Sequence, residues 1–103
     1  MFIEMKTIIV QPGTAHLIVE NFQGKNAMAD MDGFIDKRIL VRSRNKEEEK
    51  VIVTIRWDSE EAYKGWKKSP IHITGHREKR EKPPYVIDSM SETFTEVSSV
   101  TPV

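Results

Sequence analysis

Two histidines and a tryptophan fall within one short stretch, GWKKSPIHITGHREKR, at residues 65–80. His72 and His76 are four residues apart, so on a helix they share one face. That spacing can place a metal between two imidazoles. A zinc hydrolase would also need the H-E-x-x-H pattern, but Ile73 stands where its glutamate belongs. His16 could join only if the fold happened to bring it close. A second metal-like stretch, DMDGFID at residues 30–36, resembles a calcium loop. Its glycine comes too early and no glutamate follows at the twelfth position, so it is set aside.

Gly75 precedes His76. A glycine removes the side chain that would hold a flat molecule away from the backbone. An imidazole projecting from a helix toward a flat ligand suits an axial haem ligand. Trp66 is large and rigid enough to wall the same pocket. In the plainer reading, Trp66 is core and His76 is a surface residue near a helix end. Residue types alone leave both readings open.

The elements that must position these residues follow from patterning. Phe2 to Val10 is rich in apolar and β-branched residues and ends at QPG, which predicts a strand and a turn. Thr14 offers an N-cap hydroxyl for a short helix over Ala15–Phe22, with Ile18 and Phe22 on its buried side and Gly24 at its end. KNAMADMD reads as a polar loop or a helix extension. Strands are predicted over Phe34–Ser43 and Lys50–Trp57, joined by the charged hairpin loop RNKEEEK. In the latter strand Val51, Val53, Ile55 and Trp57 share one face, while Ile52, Thr54 and Arg56 share the other. Arg56 and Trp57 are expected to be structural, at the strand end and a dimer interface. Asp58 and Glu61 form a D-x-x-E capping box for a helix that places Ala62 and Trp66 together. Ser69-Pro70 ends that helix and starts another, to about Arg80. EKPPY closes it, and Val86–Val97 is the last strand.

The order β-α-β-β-α-α-β predicts an α+β, ferredoxin-like sandwich: a four-stranded antiparallel sheet with helices on one face. Residues 1–97 are expected to form a single domain and residues 98–103 a fraying tail. Apolar residues on both faces of the Lys50–Trp57 strand call for a second cover, most simply another copy of the chain in a homodimer.

The chain has 103 residues, with 16 Lys plus Arg against 16 Asp plus Glu. That balance argues against nucleic acid as the main partner. The absence of cysteine excludes thiolate metal sites, disulfides and a cysteine nucleophile. No apolar run reaches the length of a membrane span and the N-terminus lacks a signal-peptide pattern, so no membrane partner and a cytoplasmic location are expected. There is neither G-x-G-x-x-G nor a Walker pattern, hence no nucleotide site. The runs KEEEK and REKREK read as solvated faces.

The stretch GFIDKRILVR…EEKVIVTIRWDSEEAYKGWKKSPIHITGHR resembles the bacterial haem-degrading monooxygenases, most closely the Bacillus type. These belong to the dimeric α/β-barrel superfamily that also holds the antibiotic-biosynthesis (ABM) monooxygenases. The resemblance runs from Met1 to about Glu96. It rests on Gly33-Phe34, Trp57, Ser59, Ala62, Trp66, Lys68, Ser69 and His76 at the family's spacings. It implies that His76 is the axial ligand of haem iron, that Trp66 packs on and ruffles the porphyrin, and that Phe22 lines the haem pocket. Lys6 stands where the family has a catalytic asparagine. Lysine has donors and no acceptor, so Lys6 could reach a haem propionate or snorkel outward. The implied catalytic set is therefore Trp66, His76 and Lys6, with Phe22, Trp66 and His76 binding haem. Haem would be both substrate and cofactor, opened by O2 with electrons from a separate donor such as a reductase, and iron would be released. Two other readings share the fold: a cofactor-free quinol or phenol monooxygenase with His76 or His72 as base, and a non-catalytic haem-binding protein.

Overall fold

A computed structural model of the chain describes residues 1–23, 27–73 and 82–102. Four strands form one antiparallel sheet: β1 (Phe2–Val10), β2 (Phe34–Arg42), β3 (Glu49–Trp57) and β4 (Val86–Thr95), in the order β2-β3-β1-β4. Helices α1 (Ala15–Gln23) and α2 (Glu60–Lys68) accompany it, and a 3-10 turn spans Ala27–Asp30. This is the ferredoxin-like arrangement, with β1 and β3 at the centre. The strands match the pattern-based spans except at their ends, where β4 stops at Thr95 rather than Val97, β2 stops at Arg42 rather than Ser43, and β3 starts at Glu49 rather than Lys50.

Alternation explains where the core sits. Val51, Val53, Ile55 and Trp57 of β3 are wholly buried. Residues directly opposite one another in an antiparallel pair share a face. The register pairs Phe2 with Trp57, Glu4 with Ile55, Lys6 with Val53 and Ile8 with Val51. Even-numbered residues of β1, two charges among them, therefore point toward the helices. By the same rule, Lys37 of β2 is opposite Ile55 and faces the same way. Trp57 lies in this helix-covered core, against the expectation of a dimer contact. Arg56 is on the other face, where its guanidinium donates to both carboxylate oxygens of Asp36, Nε to Oδ1 at 2.8 Å and Nη2 to Oδ2.

Helix caps depart from the local patterns in two places. The Thr14 hydroxyl turns back to donate to the Gln11 carbonyl at 2.6 Å. The Ala15 amide donates instead to Glu49 Oε1, 34 residues away, at 3.1 Å. A carboxylate from the neighbouring strand thus meets the positive end of α1. In α2 the cap is Ser59, not Asp58: the Ser59 side chain accepts from the Ala62 amide at 3.2 Å. Asp58 is one residue too early for that bond, and it sits against Gly33 instead. Gly33 has φ +84°, and a Cβ there would lie 2.5 Å from both the Ala62 Cβ and Asp58 Oδ1. No other residue fits this junction between β2 and α2.

Ser69 ends α2 as predicted. Its hydroxyl donates to the Trp66 carbonyl at 2.7 Å and accepts from the His72 amide at 3.3 Å. One side chain therefore closes one helix and opens the next, which is helical over residues 70–73. The rest of the predicted Pro70–Arg80 helix lies outside the described residues.

The sheet face away from the helices carries Leu40, Ile52, Thr7 and Met90 in one row across all four strands. Leu40 and Met90 are each 54% exposed, and Phe94 lies on the same face at 43%.

Candidate functional site

The helix-covered face brings two of the predicted site residues, Phe22 and Lys6, together. Phe22, on the last turn of α1, is half-buried against the core. The Lys6 ammonium lies 5.9 Å from the centroid of its ring. The Lys37 ammonium lies 5.9 Å from the same centroid. Lys37 was not anticipated from sequence, because nothing local marks which face of an edge strand its lysine takes. Burial first, and the positive charge of Lys6 second, hold the Lys37 pKa below its ordinary value. Among the described residues neither ammonium has a carboxylate within ion-pair distance.

Beside this cluster runs a cleft of about 310 Å³. Glu4, Lys6 and Ile8 of β1 form one side, Lys67 of α2 stands above, and Ser89, Met90 and Ser91 of β4 complete it. Its volume is at the lower end of small-molecule sites. Glu4 is only 2% exposed, and its Oε2 accepts a hydrogen bond from the Tyr63 hydroxyl at 3.3 Å. A buried carboxylate held by a neutral phenol, with no cation in contact among the described residues, is unusual. Burial and then the nearby Glu4 charge push the Tyr63 hydroxyl above the ordinary tyrosine pKa. Glu4 also escaped the sequence reading. Both faces of β1 mix apolar with polar residues, so alternation did not show that Glu4 points inward.

Trp66 is 7% exposed. Its ring stacks on Trp57, with centroids 6.5 Å apart and planes at 28°, and it meets the edge of the His72 ring at 5.1 Å. The structure thus joins Trp66 to His72 and to the core, and Trp66 is not among the residues that line this cleft. His76, the predicted iron ligand, lies outside the described residues. His16 is exposed on α1. Among the described residues no group of three or more His, Asp or Glu could hold a metal ion, and no helix is long and apolar enough to cross a membrane.

A ferredoxin-like sheet with a cleft on its helical side hosts many functions, and similarity to known proteins selects the monooxygenases among them. Residues 1–78 match the antibiotic biosynthesis monooxygenase family, and the chain belongs to that family. It is 35% identical over 83 residues to the haem-degrading monooxygenase HmoA of Bacillus subtilis, covering 81% of this chain and 77% of that one. A Bacillus cereus crystal structure named for antibiotic biosynthesis monooxygenase is 36% identical, with a TM-score of 0.88, over 99% of this chain and 96% of that one. The haem degrader MhuD of Mycobacterium tuberculosis, solved with two haems in its active site, shares the fold at a TM-score of 0.71 and 24% identity, covering 98% of this chain and all of that one.

Proposed function

We propose that this monooxygenase-family protein degrades haem. The observation that carries the reading is the 35% identity to HmoA, over four-fifths of the chain. The site is compatible in chemistry. Phe22 offers an apolar platform, and Lys6 and Lys37 offer beside it two cations that no carboxylate of the described residues pairs. A planar, apolar ring that carries carboxylates suits such a surface. When bound, haem would be both the substrate and the source of the oxidising chemistry, its ring opened with O2 and electrons from a separate donor and its iron released.

In this reading His76 supplies a neutral imidazole to the iron. The Ser69 cap fixes the start of the segment that leads to it. Trp66, stacked on Trp57 and meeting His72, is the rigid wall on which the porphyrin packs. Lys6, at the position of the family's asparagine, donates and cannot accept. It therefore binds an anionic group rather than orienting a distal ligand through an acceptor. The protein works as one domain over residues 1–97, in the cytoplasm, and as a homodimer. The exposed row Leu40–Ile52–Thr7–Met90 is the surface a second copy would cover.

Titration of the purified protein with hemin, followed by absorbance, tests the reading. One saturable equivalent per chain is expected, with loss of the axial-imidazole spectrum in His76→Ala. Absence of saturable binding would overturn it.

One observation favours a second reading, a cofactor-free oxygenation of a phenolic substrate. Glu4 is a buried carboxylate in the cleft, placed to take a proton from a hydroxyl. That reading predicts turnover of a dihydroxynaphthalene in air without haem, lost in Glu4→Gln.

A further inference from the structure

We infer that Lys6 and Lys37 form a two-cation clamp that holds a carboxylate of a flat ligand lying against Phe22. The clamp deepens the haem reading and rests on it for the ligand's identity, in which case the carboxylate is a propionate.

Geometry carries the argument. Lys6 projects from central strand β1 and Lys37 from edge strand β2, with β3 between them. Both reach the same face of the sheet, and both ammonium groups come to 5.9 Å from the centroid of one aromatic ring. A cation near an aromatic ring is weakly attracted to it, but two cations at one ring repel each other. The carboxylates on the described residues do not relieve this. Asp36 is engaged with Arg56 and Arg38 on the other face. Glu4, inward-facing on β1, accepts from Tyr63. Glu49, also near this face, is bound to the amide of Ala15 at the start of α1.

Folding has thus brought two like charges together where burial already disfavours charge on Lys37. An anion between them would remove the repulsion and gain two charge-assisted contacts at once. The aromatic ring beside them selects for an anion attached to an apolar plane. Lys6 also lines the 310 Å³ cleft, so the clamp lies at the cleft's edge, where a ligand's acidic margin can be held while its body occupies the site.

Hemin and hemin dimethyl ester differ only in the carboxylates and are the natural probes. The native chain is expected to bind hemin roughly tenfold or more tightly than the ester, the range of charge-assisted hydrogen bonds. The double variant Lys6→Met, Lys37→Met keeps the alkyl stems and removes a like-charge contact, so it should fold, which circular dichroism would confirm. It is expected to bind both porphyrins alike, whereas Lys6→Arg with Lys37→Arg should retain the preference. A preference that survives the double methionine variant, or its absence from the native chain, overturns the clamp and leaves the haem reading standing. If the native chain binds neither porphyrin, the haem reading falls and fluorescent pyrenebutyrate decides the clamp. Binding lost in the double methionine variant upholds it as a site for aromatic carboxylates. Equal binding to both, or none to either, overturns it.

Discussion

The Trp66 indole stacks on that of Trp57, their centroids 6.5 Å apart and their planes 28° from parallel. Trp57 is wholly buried, and Phe34 meets its ring edge-on at 5.7 Å. Helix α2 is thus fixed to the end of β3 by aromatic contact, and Trp66 is part of the protein's core before it is part of any site.

The first prediction follows from that contact. Trp66→Ala should cost about 3–5 kcal/mol of stability, the range for deleting a buried aromatic side chain. Trp66→Phe should cost much less. Urea unfolding would measure both, and a loss below about 1 kcal/mol for the alanine variant would contradict the assignment.

Among the described residues, the two glycines with positive φ make a matched pair. Gly13, at φ +81°, has open space where a Cβ would go. Gly33, at φ +84°, has Ala62 and Asp58 at 2.5 Å. Gly13→Ala should therefore carry only the backbone cost, roughly 1 kcal/mol. Gly33→Ala adds overpacking and should cost roughly 2 kcal/mol or more. Equal losses in thermal unfolding would show that the junction has room to relax.

This pair bears on what could be read from sequence. The motif that carried the resemblance is largely a packing device. Gly33 admits Ala62, Ser59 caps α2, Ser69 joins two helices, and Trp57 stacks on Trp66. These contacts are short in sequence or fixed in spacing, so they leave a recognisable pattern. Asp58 and Ser59 could both cap a helix, and only the backbone geometry decides between them. Glu49 capping α1 and Tyr63 holding Glu4 join residues 34 and 59 positions apart, and no local pattern announces them. Lys37 joins Lys6 only through the register of three strands.

The Asp36–Arg56 pair predicts a pH dependence. The hydrogen bonds from Arg56 outweigh partial burial and hold the Asp36 carboxyl below its ordinary value of 3.8. A carboxylate with a lowered folded-state pKa contributes stability above its unfolded value, and loses that contribution as pH falls through the folded one. Native protein should therefore lose stability more steeply below pH 3.8 than Asp36→Asn does. Parallel acid-limb slopes in denaturant titrations of the two proteins would contradict this.

The central claim is that the chain destroys haem, and turnover tests it most directly. The hemin complex, supplied with a reductase or ascorbate in air with catalase present, should lose its Soret absorbance while free iron appears and a linear tetrapyrrole accumulates. His76→Ala should fail to do so. A complex that is reduced and reoxidised repeatedly with its Soret band intact and its iron retained would contradict the account, leaving a protein that binds haem without opening it.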